Sequence, residues 1–377
     1  MLKIDVQTPN SSQYGVLHHF SQKLYEAFVR HGCECRLLSC SQSIQVLISD
    51  PPDFTIGFNG TIKMEDGSLL CDHLRVPHVS CLIDPPYRFM ELTSSPYMMI
   101  TCDDREGCAL LKKRGFERTF WMPHAVEPEL SPGNKKRIYD IVFLGTCIDH
   151  ETRQKNWEIQ FPPNVCVHMK EAAEACLKDV GPSFMSILAK NLDPANYQSA
   201  FEEVEIYIKG VDRLRLLTSF SNHKVHIFGY QSDKKGWKHI LKQHPNLIVH
   251  PPVSYEEAIE IMQQSKVVLN SSLKNKQGAH ERIFTAAACG ALVVTNKVPF
   301  TEKHFQNGKE MLLFDGKGLP SLEKDIHALL QDENKRLEIA ESGRNRVMSE
   351  HTWDQRVDKL LKDIRPVLKE IQARFST

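Results

Sequence analysis

The stretch Lys266-Val267-Val268-Leu269-Asn270, then Ser271 to Gly278, then Ala279-His280-Glu281-Arg282-Ile283-Phe284-Thr285-Ala286-Ala287-Ala288-Cys289-Gly290, then Ala291-Leu292-Val293-Val294-Thr295, decides how this chain is read. Its first and last segments are short apolar runs of strand length, rich in valine. Between them a polar loop carrying Lys274, Lys276 and Gly278 leads into a segment of strong helical composition. That segment is long enough for about three turns and stops at Gly290, where a glycine suits a helix end. Strand, loop, helix and strand in this order form the building unit of a parallel sheet covered by helices.

The unit also has a chemistry. A helix N-terminus directs free N–H groups and a partial positive charge at the preceding loop, which suits a diphosphate. Gly278 lets backbone come close to phosphate oxygens. Arg282 suits a bidentate contact to them. Glu281 suits the paired hydroxyls of a ribose, which a carboxylate accepts well. A plain structural reading stands beside this one: Glu281 complements the helix dipole and Arg282 pairs with a surface acid. His280-Glu281 does not open a zinc motif, because HExxH needs histidine where the chain has Phe284. Asp103-Asp104 reads as a solvated acidic turn rather than a metal site. Neither half has GxGxxG after its first strand, and GxxxxGK[ST] does not occur, which argues against dinucleotide dehydrogenases and P-loop enzymes.

Working outward, short apolar runs alternate with helical patterns along all 377 residues, a length that suits two domains. The first half has candidate strands at Lys3–Val6, Cys35–Leu38, Phe54–Phe58, Val79–Ile83, Met98–Thr101 and Thr119–Met122. The second has them at Ile138–Leu144, Lys224–Phe228, Leu247–Val249, Val267–Asn270, Ala291–Thr295 and Met311–Phe314. The polar turn Ser131–Lys136 reads as a linker. Residues 152–217 read as a helical insertion after the first strand of the second domain. Trp353–Phe375 reads as an amphipathic helical region interrupted at Pro366. The expected domains are therefore 1–130, 137–350 and a C-terminal helix at 351–377.

Composition bounds the function. With 41% hydrophobic and 25% charged residues the chain is globular, and its formal net charge of zero removes any bulk attraction to nucleic acid or anionic lipid. The N-terminus reads as a strand rather than a signal peptide. No stretch approaches the roughly 20 apolar residues that span a bilayer. Eleven cysteines, scattered without a CxxC pair, read as buried reduced thiols and point to the cytoplasm.

At this point the chain resembles a known family. Residues 278–295 are similar to the donor-site motif of CgeB-like, spore-maturation-type glycosyltransferases, relatives of the group 1 glycosyltransferases with the GT-B fold. Tyr139-Asp140-Ile141-Val142-Phe143-Leu144-Gly145-Thr146 looks like that family's first C-domain strand and glycine turn. Val225-His226-Ile227-Phe228-Gly229 looks like the next strand, Tyr255 to Asn270 like the helix and strand before the donor loop, and Thr352-Trp353 like the opening of the last helix. Val76–Pro86 and Met122–Val126 are similar to segments at the family's cleft. The resemblance covers most of the chain outside the insertion and is most specific from 225 to 315. It implies an α/β architecture of two facing Rossmann-like domains, with the last helix returning to the first. One residue departs from the pattern: many relatives have glutamate where this chain has Thr285, and a hydroxyl does not replace a carboxylate on ribose.

The resemblance also implies the site. Gly15, Gly145, Arg153, Gly229, Lys276, Gly278, His280, Glu281, Arg282 and Thr285 are the expected donor-binding residues, with Lys155 a further cation beside Arg153. Asp84, His19 and His124 are the expected catalytic residues on the acceptor side. Of the neighbours His18 and His19, which point in different directions on a helix, at most one reaches a ligand. The expected reaction is metal-independent sugar transfer, retaining in configuration, from a nucleotide sugar, a UDP-sugar above all. No bound cofactor and no metal are expected. The acceptor stays open between a glycan, a protein and a small molecule. The alternatives are a GT-B-like binding or structural protein that has lost catalysis, which Thr285 keeps open, and another nucleotide-sugar enzyme such as an epimerase.

Overall fold

The computed structural model describes residues 1–178, 181–229 and 236–375. The chain divides into two units, Met1–Pro128 with His351–Thr377, and Glu129–Glu350. Each is built on one six-stranded sheet in which all paired strands are parallel.

The first sheet comprises β1 (Lys3–Thr8), β2 (Glu34–Ser39), β3 (Phe54–Phe58), β4 (His78–Leu82), β5 (Met98–Cys102) and β6 (Thr119–Trp121), in the order β2-β1-β3-β4-β5-β6. β3, β4 and β5 are buried at every residue, which is why they read as continuous apolar runs rather than alternating ones. The helix Trp353–Phe375 belongs to this unit. The Trp353 ring centroid lies 5.5 Å from that of Phe20 and 6.0 Å from that of Phe58. The backbone just ahead of it is tied to Val126, whose N–H donates to His351 O at 2.9 Å and whose carbonyl accepts from Trp353 at 3.0 Å. The expected interruption at Pro366 is corrected: the helix runs through it. Proline removes one N–H donor from the ladder, but the buried stripe Val357, Leu360, Leu361, Ile364, Leu368 and Ile371 holds both sides of it.

The second sheet comprises β7 (Tyr139–Leu144), β8 (Val225–Phe228), β9 (Leu247–His250), β10 (Ser265–Leu269), β11 (Leu292–Asn296) and β12 (Leu312–Phe314), in the order β12-β11-β10-β7-β8-β9. This is the doubly wound order of a dinucleotide-type fold, with its switch point between β7 and β10. Between β7 and β8 the chain inserts helices His150–Gln160, Pro163–Cys176, Phe184–Asn191 and Gln198–Thr218. Trp157 is fully buried among them, 5.2 Å from Tyr207 between ring centroids. The first and last of these helices cross tightly, since a Cβ on Gly210 would lie 2.7 Å from His150 Cβ.

The ten described cysteines outside Cys40 are all free thiols, eight of them buried, and burial pushes Cys81 up to about 12. Among the described residues no helix is long and apolar enough to cross a membrane.

Candidate active site

Ligands of doubly wound sheets bind beyond the carboxyl ends of the strands, at the switch point. In the second unit β7 reaches that point at Gly145. The Gly145 N–H donates to Phe228 O at 2.8 Å and its carbonyl accepts from Trp237 Nε1 at 3.1 Å. A Cβ on Gly229 would lie 1.9 Å from Gly145 O, and one on Gly145 would lie 2.8 Å from the Phe143 ring. Both glycines are therefore demanded by the approach of backbone to its own neighbours.

β10 reaches the switch point at Asn270, which is fully buried. Asn270 Nδ2 donates to Thr295 Oγ1 at 2.9 Å and to Ser272 Oγ at 3.2 Å, while its Oδ1 accepts from Arg282 Nη1 at 2.9 Å. The helix Glu281–Ala288 is capped by His280, whose ring accepts from the Arg282 N–H at 3.4 Å. His280 Nδ1 also pairs with Glu281 Oε2, and both residues are half-buried. Gly278 is buried in the loop before them. Arg282 thus has a buried amide as its partner where a surface acid was the plain reading. Thr285 lies inside the packing: it is fully buried, hydrogen-bonded to Tyr255 Oη at 3.2 Å and donating to Glu281 O at 3.2 Å.

The inserted helices hold the loop between β10 and this helix. Lys276, almost wholly buried, donates to Cys176 O at 2.8 Å and Lys178 O at 3.0 Å. Lys274 Nζ donates to Glu205 Oε1 at 2.7 Å, and Lys209 Nζ reaches the same oxygen at 2.7 Å. Asp212 accepts from the Leu273 N–H and from Asn296 Nδ2, both at 2.9 Å. Burial raises the pKa of Asp212, and these two donors oppose the rise. Arg213 donates to Thr146 O beside Gly145. Arg153 pairs with Glu203 at 2.8 Å. Glu205, Lys209, Asp212 and Arg213 were not singled out in the sequence. Their spacing of i, i+4, i+7 and i+8 is a polar stripe along one helix face, and that was the available signal.

In the first unit the candidates gather at the carboxyl ends of the strands. Gly15, at φ 78°, follows Tyr14 at φ 59° and starts the helix Val16–Arg30. His18 Nε2 lies 2.9 Å from Pro9 O. His19 is paired with the buried carboxylate of Glu127, a partner that sequence reading passed over. Asp84 accepts from Asn59 Nδ2 at 2.8 Å, while Asn59 Oδ1 accepts from the Ile83 and Asp84 N–H groups at 3.0 and 3.3 Å. Asn59 sits at φ 54°, a conformation asparagine tolerates. His124 Nε2 is 3.4 Å from Asp103 Oδ2, and its carbonyl accepts from Arg356 at 2.8 Å. His124 and His19 both lie near Phe20, at 5.8 and 6.4 Å between centroids. The reading of Asp103-Asp104 as a solvated turn is corrected. Both are buried, Asp103 against His124 and Asp104 as the N-cap that accepts from Glu106 N–H at 2.7 Å.

Residues 211–362 match the family model described as glycosyl transferase-like, a span that starts inside the helix Gln198–Thr218 and takes in the switch-point loop. The whole chain is similar in structure to an alpha-glucosyltransferase (AGT) in complex with UDP, at a TM-score of 0.57 and 10% identity, covering 97% of this chain and 100% of that one. It is similar to T4 phage BGT in complex with UDP and Mn2+, at 0.55 and 10% identity over 97% and 100% of the two chains. It is also similar to Anabaena Alr3699/HepE in complex with UDP-glucose, at 0.54 and 11% identity over 96% and 100%. Against TarM the chain spans 58% of that protein's length. No curated protein matches the chain by sequence. The chain has the GT-B fold of two Rossmann-like domains, and the stretch similar to the glycosyl transferase-like model lies mostly in the second unit. The match of residues 211–362 to a glycosyl transferase-like model agrees with the group 1 resemblance of residues 278–295.

Proposed function

We propose that the chain transfers a sugar from a UDP-sugar bound at the switch point of the second unit. The observation that carries this reading is the loop Ser271–His280, whose buried polar groups are tied down on both sides and which opens on the N-terminus of Glu281–Ala288. A pre-organised helix N-terminus with cations around it is what a leaving diphosphate requires. Glu281, half-buried at the first turn, is the proposed ribose ligand, because Thr285 is enclosed by Tyr255 and its own helix. Arg282 supplies charge to the diphosphate. His19, His124 and Asp84 are the proposed acceptor-side groups, with the His19–Glu127 pair suited to general base work. The reading includes transfer with retention, independence of metal and a reducing, cytoplasmic setting for the free thiols. Neutral net charge favours an acceptor other than nucleic acid.

Titration calorimetry with UDP, UDP-sugars and NAD tests the donor. UDP should bind and NAD should not. The Glu281→Ala variant should bind UDP more weakly by about one to two orders of magnitude, as loss of a charged acceptor costs about 1.5–3 kcal/mol. Wild-type UDP affinity in that variant moves the donor site elsewhere. Because T4 phage BGT was solved with Mn2+, turnover is measured with EDTA and with Mn2+, and loss of activity in EDTA rejects metal independence.

A further inference from the structure

Two histidines meet at the amino end of β8, the end of that strand away from the switch point. His223 lies in the loop 221–224 that leads into β8, and His327 lies on the helix Leu319–Gln331. Leu322 and Ile326 anchor that helix in the core of the second unit. The positions after them, Glu323 and His327, stand one turn apart on one face. Glu323 Oε1 accepts from the backbone N–H groups of Ser221, Asn222 and His223 at 3.1, 2.8 and 2.9 Å. Asn246 Nδ2 also ties the loop, donating to Phe220 O and His223 O, both at 3.0 Å. Burial raises the pKa of Glu323, but the loop's donors outweigh it and bring it to about 2. The side chain is therefore a carboxylate, which only accepts.

His223 Nδ1 lies 3.1 Å from Glu323 Oε1. Facing an acceptor, this nitrogen carries the proton, and in the neutral ring Nε2 keeps its lone pair. That Nε2 lies 2.9 Å from Nδ1 of the exposed His327. A carboxylate that holds the proton on one ring nitrogen and leaves the other bare is the arrangement around a metal-ligating histidine. Two imidazole nitrogens on a tetrahedral Zn2+, each at about 2.0–2.1 Å, stand about 3.3 Å apart. A small turn of the exposed His327 ring opens the pair to that spacing.

We propose that His223 and His327 bind a divalent metal of the zinc class, with Glu323 as the orienting carboxylate and water completing the coordination. Imidazole suits Zn2+, Ni2+ and Cu2+, whereas Mg2+ and Ca2+ take oxygen ligands. At this end of the sheet the ion is structural: it clips the helix Leu319–Gln331 to a loop 104 residues earlier in the chain. The site is independent of the donor reading.

Titration calorimetry and thermal melting with Zn2+ and with Mg2+ test it on the metal-free whole chain and on His327→Ala and Glu323→Gln. The wild type should bind one Zn2+ more than His327→Ala, whatever other groups take zinc. Zn2+ should raise the melting temperature of the wild type by more than that of His327→Ala, because a ligand held only by the folded chain stabilises it. Mg2+ should do neither. Glu323→Gln should weaken this Zn2+ by about tenfold to a hundredfold, the usual effect of losing an orienting carboxylate. Equal Zn2+ stoichiometry in the wild type and His327→Ala overturns the site and leaves a hydrogen bond between two rings. Unchanged zinc affinity in Glu323→Gln overturns the role given to the carboxylate.

Discussion

Gly229 shows what a single residue does at the switch point. With a Cβ placed 1.9 Å from Gly145 O, Gly229→Ala forces β7 and β8 apart at their ends. We expect a cost at or above the usual 1–3 kcal/mol of overpacking, read as a lower denaturation midpoint with an unchanged slope. Sequence reading assigned this glycine and Gly145 to the ligand. A missing Cβ looks the same in a sequence whether it makes way for phosphate or for a neighbouring carbonyl, and the Gly145 carbonyl is reason enough for a glycine at 229. His78 is a residue whose importance was not legible at all. It is fully buried, hydrogen-bonded to Thr55 Oγ1 at 2.7 Å and to Gly60 O at 3.0 Å, and burial lowers it from 6.5 to about 4. Its folded pKa lies below the unfolded value, so protons bind the unfolded chain first. Stability is complete above about pH 6.5 and is lost as pH falls towards 4, by about 3 kcal/mol in all. Unfolding free energies at pH 7 and pH 4.5 should differ by less in His78→Gln than in wild type. An equal difference in the two proteins would show that this ring does not set the acid limit.

At the scale of elements, the helix Gln198–Thr218 and the loop Ser271–His280 are one structure. Asp212 alone satisfies the Leu273 N–H and Asn296 Nδ2, each at 2.9 Å. Asp212→Ala leaves two buried donors without an acceptor, at about 1–3 kcal/mol each. We expect a lower melting temperature together with weaker UDP binding, because the loop loses its register before the helix N-terminus. A variant that melts earlier yet keeps full UDP affinity would show that the loop holds its shape without the insertion. Periodicity located this helix and its neighbours but marked them as an addition to the fold. Their polar stripe meets a loop some sixty residues further on, and a pairing at that separation has no local pattern.

At the scale of the molecule, the first unit is closed by the far end of the chain. Trp353 packs on Phe20 and Phe58, and Arg356 Nε donates to Pro123 O at 2.8 Å. A chain ending at Glu350 uncovers the buried Phe20 on the helix Val16–Arg30. Its first unit should lose cooperative unfolding in calorimetry and expose apolar surface to a dye. An unaltered first-unit transition would falsify the view that 351–377 is part of that core.

The local code was enough for the architecture. Strand-length apolar runs, helix periods and glycine stops depend on neighbours within a few residues, and they define two parallel α/β sheets, the insertion and the strand–loop–helix unit ending at Gly290. A helix opening after the loop was readable for the same reason, but its start was read at Ala279, whereas His280 is the N-cap and the helix is Glu281–Ala288. Partners were not. That Arg282 is anchored on Asn270, that Thr285 is enclosed by Tyr255, that His19 has Glu127 and that Lys274 reaches Glu205 are pairings across 12 to 108 residues. Hydrogen bonds and ion pairs act over a few ångströms, and chain distance carries no information about which groups come that close. Strand order and the crossing of the inserted helices make that choice, and they exist only once the sheet has formed.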